Sequence, residues 1–560
     1  NKKLVFTISL LLFTYFSFCQ EYRNSGFSKP MNLPFNLAGS FGEPRKDHFH
    51  SGIDIKTNGV EGEPVFAIGD GYISRIKVSP YGYGKVIYIT HTNGFTSVYA
   101  HLSTFYGAIE KYIHSQHYVQ QKSELDLTLD ATIFPVKQKD TIAFSGNTGG
   151  STAPHLHFEI RNTKTEHALN PLDFYPKEFY VDTIPPQINK VKINSIYSDI
   201  YSSFSQYYFL KKVNNNLNAI DSIIIENDTL VSFSFEGFDK QDNSENKNGI
   251  KKMIIFQENR LGFKYDLTEI DFDKTRMCNA FVDYHEMMND SGYFYNGYQL
   301  PGNKLNYYSV GNGTFPLKNG RNEFYITCYD YNENEIKINL TVFKRDADVM
   351  VDTAAAYNPD EIYGDISINK NDSIPLKNFK INLSANTFYD NNFLSIEKST
   401  KGRIEQYLVS NFALTIPLQK PAKIEFKSSI KKNRNKIVVV RQNHKGNETA
   451  LKTTFDKNKF YAETKELGSF YLKYDTTKPT VEILNLKSEI INIKITDNLS
   501  SINTYNGYVD NKWVNFYYDA KNDVIQYNFD EYCSKGEHLL KIIVTDIVGN
   551  KTMIQQKFNY

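Results

Sequence analysis

Cysteine is scarce. Cys19, Cys278, Cys328 and Cys533 are the only four in 560 residues, and none stands in C-x-x-C spacing. That excludes a disulfide-dense scaffold and a cysteine-ligated zinc site. Cys278 and Cys328 fall in one expected module and could pair in an oxidising compartment; otherwise they are buried thiols. Neither sign of charge is in surplus, with 64 basic against 63 acidic residues. A nucleic-acid partner would call for a basic excess or stripe, so none is expected. A second long apolar run is also missing, so no transmembrane span is expected. The glycine-rich "SGNTGGSTAPH" lacks the Lys-Ser/Thr of a phosphate loop, and no G-x-S-x-G elbow accompanies the histidines.

What the chain does have is aromatic alternation. Tyrosine and phenylalanine number 40 each, much of them in period-2 runs, which points to strands and a mostly β fold. The length implies three or four domains. Two stretches repeat: "VDTIPPQINKV" from Val181 and "YDTTKPTVEIL" from Tyr474 share Asp-Thr-x-x-Pro followed by alternating apolar residues. Both segments close on Asp-x-x-x-Asn between strand patterns, Asp330 with Asn334 and Asp546 with Asn550. These resemble bacterial immunoglobulin-like β-sandwich modules over 181–346 and 475–560, with a further β module over 347–474. Their histidines, His285, His444 and His538, have no ligand spacing, so positioning or binding is expected of the tail.

The N-terminus reads as an export signal over residues 1–19. Lys2 and Lys3 precede an uncharged, largely apolar run from Leu4 to Phe18, shorter than the roughly 20 residues of a spanning helix. Cleavage near Cys19 would leave a mature chain starting near Gln20, in the periplasm, cell envelope or medium. Lipidation of Cys19 is the rival reading, against which bulky Phe18 stands where a small residue is wanted.

Histidine is concentrated near the front: nine of twelve lie before residue 168. In "PHLHFEI", His155, His157 and Glu159 alternate with Leu156, Phe158 and Ile160, a half-buried strand with both imidazoles on its wet face, attached about 6.6 Å apart. "KVIYITHTNGFTSVYAHLS" reads as a hairpin turning at Asn93-Gly94, with His101 projecting from its second strand. "HFHSGIDIKT" adds His48, His50 and Asp54. A hydrolytic zinc keeps three protein ligands and leaves one position for water, whose pKa it lowers towards about 7, and neighbouring imidazoles can move that water's proton.

"HFHSGID", "YAHLS" and "GNTGGSTAPHLHFEI", in this order with the lead-in "LAGSFGEPR", resemble the lysostaphin-type, LytM-like zinc metallopeptidases. The resemblance covers roughly residues 30–175 and implies an antiparallel β metallopeptidase domain over 20–178, with an insertion at about 106–135. It makes His50, Asp54 and His157 the ligands of one Zn2+ per chain, and His101 and His155 the catalytic pair. The implied activity is hydrolysis of peptidoglycan peptide cross-links, a D-alanyl bond by preference. The alternative within the family is a catalytically silent cell-wall scaffold that activates an amidase. Ala153 departs from a common glycine; if the position needs positive φ, alanine there costs about 1 kcal/mol. His48 is expected at the rim, His91 on the hairpin surface, and His114 and His117 on a solvated helix face.

Overall fold

A computed structural model describes residues 25–560 except 197–199, 201–202, 227–229, 243, 346–360, 403, 412–414 and 487–488. The export signal with Cys19, the start near Gln20 and the break at 346–347 lie outside the described residues. The fold is mostly β, as the alternation implied. Seven strands of the N-terminal domain are β1 (Leu37–Gly39), β2 (Ile53–Lys56), β3 (Gly71–Val78), β4 (Lys85–His91), β5 (Phe95–Ala100), β6 (Leu125–Thr128) and β7 (His155–Asn162). They lie in the order β1-β2-β7-β5-β4-β3-β6, antiparallel throughout. The β4–β5 hairpin turns at Asn93-Gly94, where Gly94 takes φ 87° without the clash of a Cβ.

Alternation along these strands sends Ile53, Ile55, Ile87, Ile89, Leu156, Phe158 and Ile160 into one core. The opposite face of β7, expected to be wet, is buried as well: His157, Glu159 and Arg161 are all under a tenth exposed. Mutual hydrogen bonds satisfy its polar groups, and Val86, Tyr88, Val98 and Ala100 form a small apolar cluster on the neighbouring strands. His91 is buried rather than on the surface, its ring bonded to Ser97 Oγ at 2.7 Å and Asp70 O at 3.1 Å.

The insertion forms α1 (Ala108–Gln120), and its histidine face is not solvated. His117 is buried with Nδ1 2.7 Å from the Lys122 carbonyl, and His114 Nε2 lies 3.1 Å from Asp530 Oδ2 in the last module. Tyr118 of α1 stacks on Tyr532 at 3.7 Å and meets Trp513 edge-on at 5.4 Å.

One hydrophobic core runs from Met31 to Val342 and takes in Tyr389, so the segment from 181 is fused to the N-terminal domain. β8 (Ala168–Leu169) pairs with β7 on one edge and with β9 (Glu269–Ile270) on the other. Gln241 seals the seam, accepting from Leu37 N at 2.9 Å and donating to Phe35 O at 2.8 Å. Residues 361–474 form a six- and a five-stranded sheet around Phe379, Ile381 and Phe470. Residues 480–559 form two four-stranded sheets facing one core that includes Ile493, Ile525 and Ile542. Cys278, Cys328 and Cys533 are free and buried.

Candidate metal centre

Strand register brings the first two side chains together. β2 and β7 pair with His157 opposite Asp54, and the turn before β2 carries His50. His50 Nε2 lies 3.0 Å from Asp54 Oδ1 and 3.0 Å from His157 Nδ1, and His157 Nδ1 lies 2.9 Å from Asp54 Oδ1. All three residues are buried.

Donor accounting decides what this triangle can hold. His50 Nδ1 faces the Ser40 carbonyl at 2.7 Å and must carry the ring proton, which leaves Nε2 bare. His157 Nε2 faces the Glu159 carboxylate at 2.9 Å and takes the proton there, which leaves Nδ1 bare. Asp54 Oδ1 can only accept. Three lone pairs therefore converge on one point. Donors set tetrahedrally at 2.0–2.1 Å from a zinc ion are roughly 3.3 Å apart, close to the spacing here, so the residues present fit a divalent cation. Without one, a proton takes the same place. Burial alone would lower His157, but its hydrogen bonds to Asp54 and Glu159 push it up to about 9. His50 is pulled down to about 4 by burial, with Asp54 opposing. Burial would raise Asp54, yet His50 and hydrogen bonds from His155 and His157 hold it well below the usual carboxylate range. Arg45 Nη2 steadies its second oxygen at 2.9 Å.

Two further histidines flank the triangle. The expected strand position of His101 is corrected: β5 ends at Ala100, and His101 takes φ 59° one residue beyond it. That left-handed conformation costs a non-glycine residue of order 1 kcal/mol, and it turns the ring towards the site. Its centroid is 4.8 Å from that of His155 and 5.8 Å from that of His157. His101 Nδ1 is 2.8 Å from Thr148 O, and burial, reinforced by His157 and His155, pulls it down to about 3, so the ring is neutral with Nε2 as acceptor. His155 holds Nδ1 2.8 Å from Ala153 O and presents Nε2 3.3 Å from Asp54 Oδ1. His48 stays exposed, with its ring Nδ1 2.9 Å from Lys46 O.

Ala153 does not take positive φ; Gly149 does, at 69°, so alanine at 153 costs nothing. Sequence reasoning passed over Glu159 and Tyr83. Glu159, fully buried, takes the proton of His157, both nitrogens of the Arg161 fork, Ser51 Oγ and Tyr83 OH, which fixes the tautomer of His157. The signal for Glu159 was its place two residues after His157 on one strand face. For Tyr83, whose ring centroid lies 5.2 Å from that of His157, no signal was available.

The rim includes the last module. Lys521 Nζ donates to Asn147 O, one residue before the carbonyl that holds His101. Tyr517 OH reaches Ser79 O at 3.4 Å, and its ring lies under Lys85 Nζ at 5.5 Å.

Residues 48–125 match peptidase family M23, and residues 365–475 match the Zu5-like domain. The first match stops short of His155 and His157. The DD-carboxypeptidase/endopeptidase Mpg of Neisseria meningitidis serogroup B is 36% identical over 112 residues, 20% of each chain. The peptidoglycan DD-endopeptidase ShyB of Vibrio cholerae is 29% identical over 136 residues, 23% of this chain and 26% of that protein. The catalytic domain of the antimicrobial peptidase lysostaphin from Staphylococcus simulans aligns at 29% identity, covering 24% of this chain and 87% of its own, with a TM-score of 0.18. This chain spans about a fifth to a quarter of the length of the two curated relatives.

Proposed function

We propose that the M23-type domain at the front of this chain is a zinc endopeptidase that hydrolyses peptide cross-links of bacterial peptidoglycan, outside the cytoplasm. The observation that carries the reading is the convergence of three potential ligand atoms, His50 Nε2, Asp54 Oδ1 and His157 Nδ1, within 3.0 Å of one another. The substrate class rests on the similarity to DD-endopeptidases. Among the described residues no helix is long and apolar enough to cross a membrane.

His50, Asp54 and His157 would hold the ion. When bound, zinc supplies Lewis acidity, acidifying a water and polarising the scissile carbonyl. The chain's own residues do the rest. His101, held neutral with its Nδ1 proton on Thr148 O, offers Nε2 as the base that takes the proton of the attacking water. His155, oriented through Ala153 O, stands with Nε2 beside the triangle, placed to hydrogen-bond the oxygen that becomes negative. The proton collected by the imidazole then passes to the departing amine. Burial of the triangle excludes bulk water and keeps each of these hydrogen bonds strong. The silent-scaffold alternative is disfavoured, because every position it would require to be lost is intact.

The test is zinc content together with release of free amino groups from purified sacculi. About one zinc per chain with release of amino groups is expected. A zinc-loaded chain that leaves sacculi and soluble cross-linked fragments intact would overturn the enzyme reading.

A further inference from the structure

The tail modules carry two matching groups of acids. Oxygens of Asp182, Asp239 and Asp330 lie within 4.8 Å of one another, and so do those of Asp475, Asp497 and Asp546. The two groups occupy equivalent places. Asp182 and Asp475 open the repeated Asp-Thr-x-x-Pro segments, and Asp330 and Asp546 open the repeated Asp-x-x-x-Asn turns. Asp239 and Asp497 each follow directly on a strand, Leu230–Phe238 and Ile490–Thr496. The same asparagine brace recurs: Asn334 Nδ2 donates to Asp330 Oδ2 at 2.8 Å and Asp182 O at 3.0 Å, and Asn550 Nδ2 donates to Asp546 Oδ2 at 2.7 Å and Asp475 O at 3.0 Å.

Independent of that clustering, the sites hold polar atoms with nothing to satisfy them. Asp239, only 2% exposed, has an unpartnered Oδ1, and so does Asp475 at 1% exposed. Asp497 Oδ1 is in the same condition. Beside them, Asn248, bridged through its backbone to Asp239, has both side-chain amide atoms, Oδ1 and Nδ2, buried and unpartnered. Ser500, whose amide donates to Asp475 Oδ2, has a buried unpartnered Oγ. Among the described residues no lysine or arginine pairs with any of the six carboxylates; their hydrogen bonds come from backbone amides, Asn334, Asn550 and Tyr180. Buried acceptors and like charges without a donor or counter-charge are costly, and the same defect in two copies of one motif indicates a missing cation.

We propose that each cluster binds one calcium ion, which braces the start of its module against the strand end and the closing turn. The donors are all oxygen, which selects a hard ion, and their irregular mix of carboxylate, amide and hydroxyl suits the flexible coordination of calcium better than the strict octahedron of magnesium. Asp182 follows Tyr180 at the seam with the N-terminal domain, and Asp475 follows the strand Gly468–Tyr474 of the middle module. Each ion would therefore set the angle at which a module leaves its predecessor.

The experiment uses the full chain, stripped of divalent ions and dialysed against calcium chloride. Uptake of two calcium ions per chain is expected, with a rise in melting temperature that the same concentration of magnesium does not give. Asp239→Asn and Asp497→Asn, near-isosteric and relieving repulsion, should each remove one ion while leaving the calcium-free fold intact. No uptake at millimolar calcium, an equal shift with magnesium, or variants that still take up two ions would overturn the proposal. If a variant does not fold, the stoichiometry and the calcium-against-magnesium shift of the unaltered chain still decide.

Discussion

At the scale of single residues, the two histidines of "PHLHFEI" separate by what each nitrogen faces. His157 aims a bare nitrogen at His50 and Asp54, so His157→Ala should lower zinc content and turnover together. His155→Ala should keep its zinc and lose roughly 10²–10⁴ in rate, the usual worth of proton-transfer help. Zinc stoichiometry and turnover measured on the same preparations decide it; the reverse pattern means the roles are swapped. A second expectation concerns protonation of the metal-free protein. His157, raised from 6.5 to about 9, is protonated at neutral pH and stabilises the fold below 6.5. That contribution, of order 3 kcal/mol, is lost as pH rises through 9, because the unfolded ring has already given up its proton. NMR titration of the ring should find the high value, and Glu159→Gln should lower it and weaken zinc binding roughly 10–100-fold. A ring titrating near 6.5 in the unaltered chain would refute the network.

At the scale of elements, the chemistry depends on where loops hold strand ends. Gly149 takes φ 69°, and a Cβ there would stand 2.3 Å from Gly84 N and 2.4 Å from Gly82 O. Gly149→Ala should push apart the loops that carry Thr148 and Tyr83, keep the zinc and cut turnover by roughly 10²-fold, the cost of misplacing a catalytic group by about an ångström. Equal turnover with an unshifted melting temperature would show that the loop contact is not what orients His101. The hairpin and the alternation of β7 were legible because period-2 patterning is local, and the order of the motifs placed His50, Asp54, His101, His155 and His157 in one neighbourhood, which is where the structure has them. Three features were not. The positive φ of His101 is imposed by the loop it enters, the burial of the polar face of β7 needs strands and side chains distant in sequence, and the docking of α1 is decided by Tyr532 and Trp513, roughly four hundred residues away. A helix with His114 and His117 three apart reads as solvated until its partner is in place.

At the scale of the whole molecule, the seam at residue 180 is a core and not a linker. Phe49, 1% exposed, packs its ring on Phe281 at 5.3 Å and Tyr307 at 5.9 Å. A piece ending near residue 178, which the sequence invited as a free-standing enzyme, would expose these rings and the edge of β8, and should aggregate or lose most of its stability. Size-exclusion chromatography and thermal unfolding of that piece beside the full chain test this; a monomer with an unchanged melting temperature would show that the seam is dispensable. The last module is held more lightly, through Tyr118, Tyr532, Lys521 and Tyr517. Tyr532→Ala should speed amide exchange over 108–120 without removing zinc.

The contact between Tyr517 and Ser79 joins residues 438 apart in sequence. At synthesis rates of about 5–20 residues per second, the segment near 517–532 is made roughly 20–75 s after His157 completes the histidine triangle. Over that interval Ser79 and Asn147 lack their contacts with Tyr517 and Lys521. Construction of this site therefore has a duration and a fixed final step, and a chain stalled before that step would carry His50, Asp54, His101, His155 and His157 without the contacts of Tyr517 and Lys521.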